Sequence, residues 1–302
     1  MSKETPHKSG FVNIMGEPNV GKSTLLNALV GEKLSIITNK PQTTRHRIIA
    51  IVNEDDYQIV FSDTPGVIYE PGYKMQEAMN SFAYSALTDA DILLFMVDVT
   101  RPPVVDDKLK ARLAKVECPK FLILNKVDLS TQKKLKSLTE WWSDEIEVDQ
   151  MIAISALEKS GTEELMKVII DHLPEGPPYY PKDQFSDRSQ RFFVSEIIRE
   201  QILEQYKQEI PYSAEVIVTQ FKEGTSAKGP ITRISADIIV SRKTQKSIII
   251  GKNGVSIKAL STAARKGIEA FLQDHVYLEL YVKVKEKWRD DERSLKSYGY
   301  LQ

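Results

Sequence analysis

Between residues 10 and 173, short apolar runs alternate with stretches of helical periodicity: FVNIMG then STLLNALVG, YQIVFSD then KMQEAMNSFAYSAL, DILLFMVDV then VDDKLKARLAKV, KFLILNK then LKSLTEWWSDEI, MIAISA then TEELMKVIIDHL. This order leaves a chain few options. The runs must pair side by side, and the amphipathic stretches must cover them, so an α/β domain with a mostly parallel sheet and helices on both faces is expected. LPEGPPYYPKDQ, residues 173–184, ends the alternation, because its four prolines and one glycine can continue neither a helix nor a central strand. Beyond it lie one long amphipathic pattern, RFFVSEIIREQILEQYKQEI, ended by Pro211, and two strand-like runs, AEVIVTQFKE and ITRISADIIVSR, joined by the turn signal GTSAKGP. A short helical stretch then leads into GKNG, a longer one follows it, and VYLELYVKVKE closes with period-two alternation. The expected division is a first domain over 1–173, a linker over 174–185 and a smaller α+β domain over 186–302.

A chain of 302 residues can hold two such cores, and 41% hydrophobic with 27% charged residues is the balance of an ordinary globular protein. Cys118, the only cysteine, cannot form an intramolecular disulfide, and no Cys/His cluster has zinc-ligand spacing, which fits a reducing cytosol. MSKETPHKS at the start lacks an apolar signal core, and ILLFMV at 92–97 is far too short to span a bilayer, so no integral membrane segment is expected. The net charge of −1 argues against a nucleic-acid binder only when taken globally. From Ser186 onward there are 20 Lys+Arg against 15 Asp+Glu, and residues 241–268 contain Arg242, Lys243, Lys246, Lys252, Lys258, Arg265 and Lys266 with no acid. A solvated helix face would explain a charge run by itself. The glycine loop Gly251-Lys252-Asn253-Gly254 in its midst points instead to an anion, since unpaired backbone N–H groups and the dipole of the following helix point the same way.

GEPNVGKS, residues 16–23, fits G-x-x-x-x-G-K-[ST] between an expected strand and an expected helix. Backbone N–H groups of such a loop cradle phosphates, so Gly16, Asn19, Val20, Gly21 and Thr24 join the nucleotide-binding set. Lys22 would reach the β and γ oxygens, and Ser23 would offer its hydroxyl to Mg²⁺. Asn125-Lys126-Val127-Asp128 after KFLIL selects the base: a carboxylate at Asp128 can accept from guanine's N1–H and amino group, whereas adenine would leave it unpaired at a cost of roughly 1–3 kcal/mol. Ser155-Ala156 follows the next strand, where the Ala156 N–H could reach the guanine carbonyl. Asp63-Thr64-Pro65-Gly66 ends YQIVFSD, placing Asp63 to hold Mg²⁺ through water and the Gly66 N–H to face the γ-phosphate. In KPQTTRHR, residues 40–47, a threonine hydroxyl, Thr44 in preference to Thr43, would complete the Mg²⁺ shell only while the γ-phosphate is present, making the segment a switch. Lys22, Thr44 and Gly66 are expected catalytic residues.

The set GEPNVGKS, TTR, DTPG, NKVD and SA resembles the translation-factor-related class of P-loop GTPases over essentially all of residues 10–173. The resemblance implies GTP and Mg²⁺, with hydrolysis by an attacking water. Val67 follows Gly66 where a water-orienting glutamine could stand; in GTPases with this replacement the loop asparagine matching Asn19 binds K⁺, so the resemblance implies that Asn19 is a potassium ligand and a further catalytic residue.

GKNG between two helices beside a sheet is the arrangement of a KH fold, whose GxxG loop clamps single-stranded backbone. Ile250, Gly251, Lys252, Asn253, Gly254 and Lys258 are the expected RNA contacts, with Ile248, Ile249, Val255 and Ile257 shared between a floor for bases and the core. The element order resembles the bacterial, type II, KH domain. A GTPase domain followed by this KH domain, together with DRSQRFFVSEIIRE, IPYS, HVYLELYVKVKEKW and DDERSLKSYGY, resembles the Era family of bacterial GTPases over nearly the full chain. That resemblance implies a cytoplasmic switch in 30S subunit assembly that binds the 3′ end of 16S rRNA in its GTP state, with room for peripheral contact at the inner face of the cell membrane. Two other readings stay open from the residues alone: a module holding GTP as a static ligand, and a GTPase acting on a protein or membrane partner.

Overall fold

The computed structural model describes residues 6–38, 40–226 and 229–301. The chain divides into two compact units, one running to Pro71 and again from Gln76 to Asp187, the other comprising Gly72–Met75 and the chain from Arg188 onward.

In the first unit the expected alternation is realised. Strands β1 (Lys8–Gly16), β2 (Ile48–Asn53), β3 (Tyr57–Asp63), β4 (Ile92–Asp98), β5 (Lys120–Asn125) and β6 (Gln150–Ile154) form one sheet in the order β2-β3-β1-β4-β5-β6. Helices α1 (Lys22–Val30), α2 (Lys74–Ser85), α3 (Asp107–Leu113), α4 (Gln132–Glu145) and α5 (Thr162–His172) fill the connections. Every pairing is parallel except β2 with β3, which meet antiparallel from Ile48↔Asp63 to Asn53↔Gln58. Period-two geometry sends alternate residues of the central runs to opposite faces: Ile92, Leu94 and Met96 join a core with Leu25, Leu26, Leu165 and Ile169, while Leu93 and Phe95 join a second core with Leu109, Leu113, Leu138 and Trp142. Each such side chain removed from water contributes about 1.5–3 kcal/mol. A consequence of the parallel topology is that β1, β3, β4, β5 and β6 present their carboxyl ends on one edge, where a doubly covered sheet holds ligands.

Residues 174–185, expected as a linker, lie along this unit. Ser9 donates its backbone N–H to Pro174 O at 3.0 Å, and Ile51 donates to Phe185 O at 2.9 Å. The Gln58 carboxamide, fully buried, accepts from the Tyr179 and Tyr180 N–H groups at 2.7 and 3.0 Å and donates to Tyr180 O at 2.8 Å. A stretch with four prolines has few N–H groups of its own to form a ladder, and one side chain serves it instead.

The second unit contains α6 (Gln190–Gln205), α7 (Ile210–Ser213), β7 (Glu215–Ser226), β8 (Gly229–Val240), α8 (Lys243–Ile250), α9 (Val255–Leu272), β9 (Val276–Val284) and α10 (Glu292–Ser297). Its sheet runs β7-β8-β9, with β7 antiparallel and β9 parallel to β8. GTSAKGP, expected as a turn, is mostly strand: pairing continues through Gly224↔Ile231 to Ser226↔Gly229, while residues 227 and 228 lie outside the described residues. The core combines Val194, Ile198 and Ile202 of α6, Ile234, Ala236 and Ile238 of β8, and Leu260, Ala264 and Ile268 of α9. This is the helix, strand, strand, helix, GxxG, helix, strand order expected of a KH domain.

Candidate nucleotide and nucleic-acid sites

At the carboxyl edge of the first sheet, β1 ends in Gly16 and the loop to Gly21 opens α1, so Lys22 and Ser23 are that helix's first residues and Thr24 the third. Lys22 is 6% exposed, and its Nζ donates to Gly16 O at 3.1 Å and Glu17 O at 2.7 Å. Burial pushes its ammonium down to about 8, against the opposing pull of Asp63 and Glu17. A lysine held this dry is stabilised by any anion brought beside it.

Ser23, Thr44 and Asp63 converge. The Ser23 hydroxyl donates to Asp63 Oδ2 at 2.7 Å and lies 2.9 Å from Thr44 Oγ1, which itself donates to Asp63 Oδ2 at 3.3 Å. Asp63 is fully buried and its Oδ1 has no hydrogen-bond partner. Burial pushes this carboxyl up, with the Ser23 hydroxyl and the Lys22 ammonium pulling the other way. Two hydroxyls and a carboxylate with an unused oxygen are the hard donor set that a small divalent cation takes, so these residues fit Mg²⁺. Thr43 faces elsewhere: its hydroxyl lies 2.7 Å from Thr38 Oγ1 and donates to Lys40 O at 2.7 Å.

The turn after β3 passes directly against the phosphate loop. A Cβ on Gly66 would stand 2.5 Å from the Pro18 nitrogen and 2.6 Å from its Cα, so only glycine lets the two backbones approach this closely. Val67, 1% exposed, donates its N–H to Gly16 O at 3.2 Å and packs in the core, so no polar side chain at that position faces the phosphates.

Asn125 closes β5 and ties the loops together, donating from Nδ2 to Val20 O at 2.7 Å and accepting the Ala156 N–H on Oδ1 at 2.9 Å. The Ala156 N–H, expected to reach a guanine carbonyl, is therefore spent on Asn125 here. Ser155, nearly fully buried, accepts the Glu158 N–H at 3.2 Å and so shapes the same turn. Lys126, at φ 68°, bridges the phosphate loop and β4 by donating to Asn19 O at 2.9 Å and Asp98 Oδ2 at 2.6 Å. Asp128 is exposed and lines, with Asn19, Lys22, Ser23, Thr44 and Gly66, a cleft of about 370 Å³.

Asp98 is a site residue that sequence reasoning missed. It ends β4 in register with Asn125, and although burial opposes its ionisation, the Lys126 and Thr100 hydrogen bonds hold its carboxyl below the usual range. The signal is present in the acid that follows the apolar run ILLFMV.

In the second unit, α8 ends at Gly251, whose φ of 74° and ψ of 172° suit glycine, and a Cβ there would meet Ser256 Oγ at 2.2 Å. Lys252 and Asn253 project exposed from the loop, Gly254 opens α9 and Lys258 is exposed one turn on. Of the isoleucines expected to divide between floor and core, Ile249 is fully buried, Ile250 and Ile257 are partly buried against the core, and Ile248 stands 51% exposed beside Val255 at 68%.

Two family models match the chain: a 50S ribosome-binding GTPase over residues 11–126 and a KH domain over residues 209–289. GTPase Era of Clostridium botulinum is 44% identical over 97% of this chain and 98% of its own length. The chain belongs to the Era family of GTPases. Within that family it is also similar to the chloroplastic GTPase ERA1 of Zea mays, 48% identical over 97% of this chain and 71% of the maize protein. A crystal structure of Era in complex with MgGDPNP and nucleotides 1506–1542 of 16S ribosomal RNA matches with a TM-score of 0.90 at 37% identity, covering 98% of this chain and all of that one. Era-family membership makes this protein a GTP-hydrolysing enzyme with a KH domain. No helix among the described residues is long and apolar enough to cross a membrane.

Proposed function

We propose that this protein is a GTP-driven RNA-binding switch in assembly of the 30S ribosomal subunit, with residues 1–173 as the GTPase domain and 186–302 as the domain that binds the 3′ end of 16S rRNA. The observation that carries the reading is full-length similarity, at 37% identity, to an Era solved with MgGDPNP and that segment of 16S rRNA. GTP would lie along the carboxyl edge of the first sheet, its phosphates on residues 16–24 and its base at Asn125, Lys126, Asp128, Ser155 and Ala156. Ser23, Thr44 and Asp63 would hold Mg²⁺, which supplies charge neutralisation at the β- and γ-phosphate oxygens. Lys22 stabilises the same charge, and the Gly66 N–H, held against Pro18, faces the terminal phosphate.

Orienting the attacking water is not a task Val67 can perform from the core. We assign the compensating charge to K⁺ at Asn19, supported by the apolar residue after Gly66. Thr44 would report the state of the nucleotide: its hydroxyl lies within hydrogen-bond reach of Ser23 and Asp63, so a cation bound there with the γ-phosphate would draw in the 40–47 segment and loss of both would release it. In the second unit the GKNG backbone, Lys252, Asn253 and Lys258 would clamp single-stranded RNA, with Ile250 among the groove residues. The absence of a spanning helix among the described residues is compatible with a cytoplasmic protein, and peripheral membrane contact is part of the proposal rather than of the fold.

GTP turnover and RNA affinity measured together test this reading. We expect faster turnover in KCl than in NaCl, loss of that difference in Asn19→Ala, and tighter binding of a 16S 3′-end oligonucleotide with GDPNP than with GDP. Equal turnover in the two salts would remove potassium from the mechanism. RNA affinity indifferent to the nucleotide would remove the switch.

A further inference from the structure

Each backbone carbonyl from Gly16 to Val20 in the phosphate loop has a side-chain donor. Gly16 O and Glu17 O accept from the Lys22 ammonium at 3.1 and 2.7 Å, Asn19 O accepts from Lys126 Nζ at 2.9 Å, and Val20 O accepts from Asn125 Nδ2 at 2.7 Å. Those donors all belong to the two nucleotide motifs. Pro18 O is held by a residue outside them: Arg101, in the turn after β4, donates from Nη1 at 3.1 Å. The Arg101 N–H donates to Asp98 O at 3.1 Å and so closes that turn, while Arg101 Nε lies 3.4 Å from Asp98 Oδ2, the oxygen that also takes Lys126 Nζ at 2.6 Å. Asp98 Oδ1 accepts the Thr100 N–H and hydroxyl at 2.9 and 2.6 Å, so the carboxylate is oriented through both oxygens. One buried acid thus carries two cations, and each cation ends on the carbonyl of a neighbouring loop residue.

We propose that Arg101 is a positioning residue for the nucleotide phosphates: by holding the Pro18 carbonyl it fixes the direction of the Asn19 N–H toward them. The physical reason lies in the planar trans peptide, where the C=O of one residue and the N–H of the next point in opposite directions. Fixing Pro18 O therefore fixes the Asn19 N–H, and fixing Asn19 O does the same for the Val20 N–H. Asn19 sits between these two clamped planes at φ 66°, in the left-handed region, which costs a side chain energy and lets successive N–H groups converge on an anion. Lys126 sets only the plane after Asn19; the plane before it is set by Arg101. The inference rests on reading residues 16–24 as the phosphate site. Arg101 lines the same cleft as Asn19 and Lys22. Its side chain is 42% exposed, so solvent and salt screen its bare charge, and its effect lies in the directed hydrogen bond.

The test uses the full chain and compares Arg101→Met, which keeps an apolar stem and deletes the donors, with Arg101→Lys, which keeps the charge and one donor group. GDP and GMP affinities are measured by competition against a fluorescent GDP, alongside melting curves without nucleotide. For Arg101→Met we expect GDP affinity to fall about tenfold, the scale of one hydrogen bond from a charged donor, and GMP affinity to stay within about twofold, because GMP lacks the β-phosphate that such a loop cradles. The melting curve should match the parent's, the GDP loss should persist at high salt, and Arg101→Lys should recover most of it. Lys22→Ala, which deletes the ammonium of the phosphate loop, is the control for the underlying reading. Parent-like GDP affinity in Arg101→Met beside a weakened Lys22→Ala would overturn the role of Arg101 and leave the phosphate site standing; parent-like affinity in both would overturn the phosphate site itself. Equal losses for GDP and GMP, or a lower melting curve without nucleotide, would make Arg101 structural only. A GDP loss that vanishes at high salt would reduce it to a general charge.

Discussion

Asp128 is exposed in the cleft, and its role depends on a ligand's pattern of donors rather than on its neighbours in the fold. Asp128→Asn replaces one acceptor with a donor facing guanine's N–H groups. GDP affinity by calorimetry should fall at least tenfold, about 1.4 kcal/mol, and xanthosine diphosphate, with a carbonyl where guanine carries its amino group, should gain. Gly66 works in the opposite manner, through what it leaves out. Gly66→Ala would drive a methyl group into the Pro18 backbone, which cannot rotate aside as a side chain could. GTP turnover should drop by about tenfold or more while GDP affinity changes little, because the clash lies between the loop and the turn and spares the base pocket. Unchanged turnover in that variant would mean that the turn need not lie against Pro18 during hydrolysis.

Elements are joined at this site by a few buried side chains. β4 and β5 end in register at Asp98 and Asn125, and Lys126 ties both to the phosphate loop through Asp98 Oδ2 and Asn19 O. Asp98→Asn keeps the shape but removes the charge that holds the Lys126 ammonium. Hydrogen bonds between charged groups contribute about 1.5–3 kcal/mol, so we expect GDP to leave roughly tenfold faster in stopped-flow release. Gln58 joins β3 to the proline-rich segment after α5. Gln58→Ala would strip the Tyr179 and Tyr180 backbone of its partners and should cost about 2–4 kcal/mol in urea unfolding. A smaller loss would show that water replaces the carboxamide there.

The basic, acid-free stretch 241–268 and its glycine loop belong to the scale of the whole molecule, because they give it a second ligand class beside the nucleotide. Lys252→Asp with Asn253→Asp puts two negative charges on exposed positions while sparing Gly251 and Gly254. The fold should survive, and affinity for single-stranded RNA should fall more than tenfold with a flatter dependence on salt; retained affinity in a protein with the parental melting curve would place RNA elsewhere. Much of this molecule is legible in its sequence. The parallel sheet, the phosphate loop, NKVD and GKNG follow from local rules, since periodicity, turn residues and motif spacing act over a few residues that are neighbours in the chain. β2 escaped that reading because IIAIVN adjoins the polar 40–47 segment and shows neither clean alternation nor a helix after it; its partner Ile48↔Asp63 pairing is set by β3. The linker likewise read as a break because prolines forbid regular elements, whereas Gln58, some 120 residues earlier, supplies the hydrogen bonds that hold it down. The convergence of Thr44 with Ser23 and Asp63 and the link from Lys126 to Asp98 belong to the same class. Each is a meeting of side chains from separate strands and loops, and a sequence specifies which groups exist while packing decides which of them touch.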